Sequence, residues 1–377
     1  MEMYRPTIKS NLWLGLMTVV FIALYYWVEY SKVVVRSPDY QLKIAAARNM
    51  ESALETLQEV RFPGTGEFGS SGIDKLTHTM LGEKYSPITT DEGSVDDKLT
   101  VLNPNFAAVV VDMMNQAGLV KGDTIAVFFT GSLPGANVAV FAAAKALQLH
   151  PVVITSVGSS WWGANRPDFT WLDMERVLYE TGVFKYRSIA ATVGGKDDLG
   201  GLRLSDQGRA MIAEAINRNG VTFINEGSLS ANIKGRLKML ERQAPLSAYK
   251  VAINVGGGVA TVGLPQNAQL IPSGFNRHLP RRNYPNPGSL IHYLDDVGVP
   301  IINIADVTQI ARDYNLRIPP DPARKIGEGL VYKHQQYNLP LAIIALVLMF
   351  LILGIVKYFD HQRYKWREEK VDSEEEI

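Results

Sequence analysis

Residues Thr124 to Ser156 read TIAVFFTGSLPGANVAVFAAAKALQLHPVVITS. Two near-continuous apolar runs, Thr124 to Phe129 and Pro151 to Ser156, enclose a glycine-marked loop and an alanine-rich segment from Ala136 to Leu149. Apolar runs this short, without polar alternation, predict strands buried on both faces, and the longer segment between them predicts a helix. Strand, loop, helix and strand form the repeating unit of a parallel sheet covered by helices.

The pattern continues toward the C-terminus. Helices are expected from Thr170 to Glu180, Ser205 to Asn219, Ser230 to Arg242 and Val307 to Tyr314. Strands are expected at Ser188 to Ala191, Val221 to Ile224, Lys250 to Val255 and Val299 to Ile304. The fold class is α/β with a mostly parallel sheet, whose strand order is not legible. Upstream, Asp39 to Arg61 sets Leu42, Ala46, Met50, Ala53, Leu54 and Leu57 on one helical face, and Phe62-Pro63-Gly64 stops it. Thr65 to Leu102, rich in Gly, Ser, Thr and Asp, reads as loop and small elements.

Both ends of the chain are apolar. Leu12 to Val28 and Leu339 to Val356 carry no charge, and with their flanks they reach the roughly 20 residues needed to cross the hydrocarbon layer. Trp13, Tyr25, Tyr26 and Trp27 stand near the edges of the first run, where aromatic rings favour the headgroup region. The sequence after it, YYWVEYSKVVV, has no small-residue cleavage site of the kind that ends a signal peptide. Arg5 and Lys9 precede the first run, and Lys357, Arg363, Lys365 and Arg367 follow the second. This bias favours cytoplasmic tails and an extracytoplasmic middle, although Lys32, Arg36 and Glu2 oppose it. In a bacterium the chain would cross the cytoplasmic (inner) membrane twice.

The expected organisation is a tail (1–11), a transmembrane helix (12–28) and a helical stalk with irregular linker (29–99). The α/β extracytoplasmic domain (100–318), a return linker (319–338), a second transmembrane helix (339–356) and a charged tail (357–377) follow.

With 38 basic and 38 acidic residues the chain carries no net charge, which gives no support for nucleic-acid binding. It has no cysteine, so disulfide and thiolate chemistry are excluded. Neither G-x-S-x-G nor H-E-x-x-H occurs, and TGSLPG lacks the Gly-Lys-Ser/Thr of a phosphate-binding loop. GGGVATVG lacks the complete dinucleotide spacing, so no cofactor is predicted.

Three loops follow predicted strands, where open α/β sheets bind ligands. In TGSLPG, Gly131 and Ser132 with Asn137 form a candidate anion site at a helix start, and an ordinary tight turn explains the glycines equally. In SVGSSWWGANR, Trp161 and Trp162 suit a ligand, a partner or plain packing, and Arg166 suits a carboxylate. In INVGGGVATVG, Gly256, Gly257 and Gly258 suit either an anion nest or close packing against another loop. A basic stretch, SGFNRHLPRRNYPNPGSL, adds Arg277, Arg281 and Arg282 as candidate contacts to an acidic polymer, or as a solvated face. Ser132, Ser159, His278 and Asp306 are weak candidates for catalysis, and none has a motif that fixes its role; any metal site is unread.

Taken together, one span at each end around FFTGSLPGANVA, SVGSSWWGAN and INVGGGVATVG resembles the poly-gamma-glutamate system protein family. The resemblance covers nearly the whole chain. It implies an accessory membrane protein beside the poly-gamma-glutamate ligase and its small membrane partner, serving synthesis, export or anchoring of the anionic polymer. Three roles follow as expectations: binding or guiding the polymer on the outer side, hydrolysing or transferring its amide bonds, or scaffolding the synthase complex.

Overall fold

The structure, a computed structural model, describes residues 11–61, 80–280, 288–318 and 325–375. It divides into two compact units, Ser37–Tyr332 and the pair of terminal segments Met1–Arg36 and Lys333–Ile377.

The larger unit is built on a seven-stranded sheet. Its strands are Thr124–Thr130 (β1), His150–Ser156 (β2), Ser188–Thr192 (β3), Thr222–Phe223 (β4), Ala252–Val255 (β5), Gly274–Asn276 (β6) and Ile301–Ile304 (β7). Their spatial order is β6-β7-β5-β1-β2-β3-β4, and every neighbouring pair is parallel except β6 with β7. The short antiparallel β6 is absent from the sequence expectations, because three residues around a glycine leave no apolar period to detect.

The helices of this unit are Tyr40–Arg61 (α2), Val95–Thr100 (α3), Asn105–Gln116 (α4), Pro134–Leu147 (α5), Trp171–Glu180 (α6) and Asp206–Arg218 (α7). Leu229–Glu241 (α8), Val259–Val262 (α9), Leu290–Asp296 (α10) and Val307–Asp313 (α11) complete the set used below. Alternation along β1 sorts them onto two faces. Ile125, Val127 and Phe129 face a core shared with α4, α5, α6 and α7. Ala126 and Phe128 face a second core shared with α8 and α10. Phe129 and Phe141 each meet the buried Trp171, at 5.5 and 6.0 Å between ring centroids. Each such side chain contributes roughly 1.5–3 kcal/mol by leaving water.

The body begins earlier than the expected boundary at 100. In α2, Ala46, Met50, Ala53, Leu54 and Leu57 are buried in the same core as α4 and α5. Lys43, buried, pairs with Asp112 of α4 at 2.6 Å and with Asp39 at 3.2 Å. The apolar stripe predicted from sequence is therefore a packing face of the domain, where a free stalk would have left it in water.

The terminal unit holds Asn11–Tyr30 (α1), the strands Val33–Arg36 and Lys333–Gln336, and Leu339–Glu375 (α12). Among the described residues, two helical windows are long and apolar enough to cross a membrane, Trp13–Tyr30 and Leu339–Phe359. Leu16, Val19, Phe350 and Leu351 on them are exposed, unlike the side chains of a core helix. The two strands pair antiparallel, Val33 opposite Gln336 and Arg36 opposite Lys333, directly at the inner ends of the helices. Tyr337 Oη donates to Glu29 Oε2 at 3.1 Å, and Lys32 Nζ lies 4.7 Å from the Tyr337 ring centre. The helices thus start from one level, so two crossings would bring both termini to the same side.

Candidate functional site at the strand ends

From β1 the chain adds β2, β3 and β4 outward on one side, then returns to place β5 against the other side of β1. The helix after β1 packs on one face of the sheet, and α9, after β5, packs on the other. The helices after β1 and β5 thus lie on opposite faces, and such a switch point at the carboxyl ends is where doubly wound sheets place their ligand crevice.

A row of hydroxyls floors this edge. Thr130 of β1 is in register with Ser156 of β2, and Ser156 with Thr192 of β3. All three continue the face of Phe128, Ile154 and Ala190, since alternate residues of a strand share a side. Arg236 of α8 reaches the row from the helix that covers this face, and it is fully buried. Its Nη2 donates to Ser156 Oγ at 2.8 Å, to Thr192 Oγ1 and to Asp198 Oδ1 at 2.7 Å. Asn232 Nδ2 donates to the other oxygen of Asp198 at 3.2 Å.

One nitrogen with two hydrogens thus serves three acceptors. Among the described residues, Nε and Nη1 of Arg236 have no hydrogen-bond partner. Each buried unsatisfied polar group costs about 1–3 kcal/mol. The two free nitrogens stand on either side of the engaged Nη2 fork positions, so each can donate to a separate acceptor oxygen.

The glycines of β5 fall beside this row. Gly256 has a φ of +83°, and a Cβ there would lie 2.8 Å from Thr130 Oγ1. Close packing against the end of β1 therefore accounts for the first glycine. A Cβ on Gly257 would meet nothing within 4 Å, so packing does not require the second. Gly258 stands near the row, its Cβ position 3.4 Å from Thr130 Cγ2 and 3.9 Å from Ser156 Oγ.

Compared with known proteins, the chain matches no family model, no curated protein and no solved structure. Its chemistry is read from the side chains alone.

The TGSLPG and SVGSSWWG loops meet each other. Ser159 Oγ donates to the Gly131 carbonyl at 3.0 Å, and the Ser160 amide donates to Ser132 Oγ at 3.0 Å. A Cβ on Gly131 would lie 2.5 Å from the Val157 carbonyl, so the contact needs glycine there. Asn137 is buried in the first turn of α5, its Nδ2 donating to the Thr130 carbonyl at 2.9 Å.

Trp161 and Trp162 are half-buried. Their amides donate to the carbonyls of Asp91 and Glu83, and Trp161 has Lys84 Nζ 5.3 Å from its ring centre. The fork of Arg166 is engaged by Asp168, with Nε to Oδ1 at 3.3 Å and Nη2 to Oδ2 at 3.1 Å. Asp173 caps α6 and pairs with Arg218 at 2.6 Å.

The basic stretch is elsewhere. Asn276 ends β6 opposite Ile301, the first residue of β7. Arg277 and His278 therefore extend past the amino ends of the parallel strands, the edge opposite the crevice, and both are exposed. His278 Nδ1 lies 3.8 Å from Asp295, and no serine of the crevice loops is brought to it. Arg281 and Arg282 lie outside the described residues. Asp306 follows β7 and caps α11, accepting from the Gln309 amide at 2.8 Å.

Sequence reasoning missed Arg236, Asp198 and Lys98. Arg236 sits among charged residues of an amphipathic helix and looks like solvent-facing surface. Asp198 carried one signal, a turn-forming KDDLGG stretch, and it adopts φ +61°, which Asp tolerates. Lys98, in a segment read as loop, is buried on α3 with Nζ 2.9 Å from Ser160 Oγ.

Proposed function

We propose that the protein is anchored in a membrane by α1 and α12 and that its α/β domain binds a carboxylate-bearing chain at the strand-end crevice. The observation that carries this reading is Arg236, a buried guanidinium with two unpartnered nitrogens beside the switch between β1 and β5. Each of these charged donors suits one anionic oxygen, such as that of a carboxylate. Gly257, free of packing demands, follows β5 at the same carboxyl edge of the sheet.

The family resemblance supplies the ligand class, a γ-linked glutamate polymer with one free carboxylate per residue. Many weak contacts along such a chain add up through multivalency. The basic flanks of both helices favour tails in the cytoplasm and the domain outside it. In this reading the protein guides the polymer beside the ligase and its small membrane partner.

Full-length protein in lipid nanodiscs, titrated with fluorescent γ-linked glutamate oligomers, tests the ligand. Saturable binding that exceeds binding of α-linked oligomers of equal charge is expected. Equal binding of both linkages, or none at low salt, contradicts it.

A further inference from the structure

We infer that Ser160 and Lys98 form a nucleophile–base pair, giving the domain an acyl-transfer activity on amide or ester carbonyls. This goes beyond ligand binding and does not use Arg236.

Local structure fixes both partners. Helix α3 is capped by Ser94, whose side chain accepts from the Asp97 amide. Thr308 Oγ1 donates to Asp97 Oδ1 at 2.9 Å, and Gly135 lies against the Val101 carbonyl, where a Cβ would stand only 2.6 Å away. Held at both ends, α3 turns Lys98 inward to 4% exposure, with Nζ 2.9 Å from Ser160 Oγ. Ser160 is held by its strand pairing with Asp91 and by the hydrogen bond its backbone N–H donates to Ser132 Oγ.

Among the described residues no carboxylate lies within ion-pair distance of Lys98 Nζ. The acids around it are committed elsewhere: Asp97 to Thr308, and Asp91 and Glu92 to Arg203 at 3.7 and 3.3 Å. An ammonium has three donors to satisfy, and here one hydroxyl meets it. Burial pushes the Lys98 amine down to about 8, against a smaller opposing effect of Asp97. Roughly a tenth of it is then neutral at pH 7, and more at pH 8. A neutral amine in contact with a serine hydroxyl is the arrangement that activates an otherwise weak nucleophile.

Gly93, partly exposed, packs closely against the pair, a Cβ there lying only 2.8 Å from the Oγ of Ser160, which is 7% exposed.

The reaction balances with one co-reactant, water for hydrolysis or a second amine for transfer. Neutral Lys98 takes the Ser160 proton as Oγ bonds to the carbonyl carbon, whose π pair moves to oxygen. Collapse breaks the bond to the leaving amine or alkoxide, which takes the proton from Lys98. Water or a second amine then attacks the acyl-serine ester through the same base, and Ser160 regains its proton.

Full-length protein in detergent is treated with a fluorophosphonate probe, and the labelled residue is located by mass spectrometry. Because the probe carries no carboxylate, labelling neither needs nor reports the anion site. Expected is modification at Ser160 that rises with pH around 8, is abolished in Ser160→Ala and is slowed at least 100-fold in Lys98→Met. Circular dichroism establishes that each variant is folded, and Lys98→Arg serves if the methionine variant is not. No label at Ser160 in folded protein, a label on another serine, or a rate indifferent to loss of the lysine amine overturns the pair.

Discussion

Gly256 and Thr130 end neighbouring strands so closely that a single added carbon on Gly256 would lie 2.8 Å from the threonine hydroxyl. The contact joins the two loops at the switch between β1 and β5. Gly256→Ala adds this clash to a φ of +83° that L side chains rarely adopt, and is expected to cost about 1–3 kcal/mol. Gly257→Ala should change stability by less than about 1 kcal/mol, since open space surrounds its Cβ. Denaturant melts of the two variants provide the comparison. Equal losses would contradict the distinction.

Glu175 predicts a stability that falls toward neutral pH. Burial pushes its carboxyl up to about 7, although hydrogen bonds from the amide and hydroxyl of Ser188 oppose this. The folded state holds the proton while the unfolded chain releases it near 4.5. Stability from this group is therefore present below about pH 4.5 and lost as pH rises to about 7, by roughly 3 kcal/mol at most. Glu175→Gln should flatten the midpoint temperature between pH 5 and 7.5. An unchanged slope would show that the group titrates elsewhere.

Asp173 works in the opposite sense. Burial pushes its carboxyl up, but bonds from Arg218, Asn219 and Thr170 outweigh it and hold the group below the usual range. Its stabilisation is present above the unfolded carboxyl value and is lost as pH falls through the folded one. Asp173→Asn breaks the pair with the partly exposed Arg218 and should cost about 1.5–3 kcal/mol at pH 7, the range for hydrogen bonds to charged groups. Urea unfolding at pH 7 and pH 3 should show this cost shrinking in acid.

Topology can be read cleanly because the sequence contains no cysteine. Single cysteines at Glu2, Tyr85 and Lys370 of the full chain should react with an impermeant maleimide in intact cells only at position 85. Labelling at either terminus would reverse the orientation.

Much of the fold was legible because β1, β2, β5 and β7 are largely buried and their runs are near-continuously apolar. Strand order was not, since the return of β5 to the side of β1 depends on which helix covers which face. The loops of the crevice were legible through Gly131 and Gly256, whose missing side chains mark close approach. The polar partners Arg236 and Lys98 were invisible, because burial reverses the meaning of a charged residue and only tertiary packing decides burial. The same limit applies to α2: its stripe was visible, and the neighbour that covers it was not.

The account turns on the free donors of Arg236. Titration calorimetry of full-length protein in detergent with a γ-linked glutamate oligomer, repeated on Arg236→Lys, tests it most directly. Lysine keeps the charge and removes both free donors, Nε and Nη1, so affinity should fall at least tenfold while the melting midpoint of the ligand-free variant stays within a few degrees. Undiminished affinity in a folded Arg236→Lys protein would contradict it.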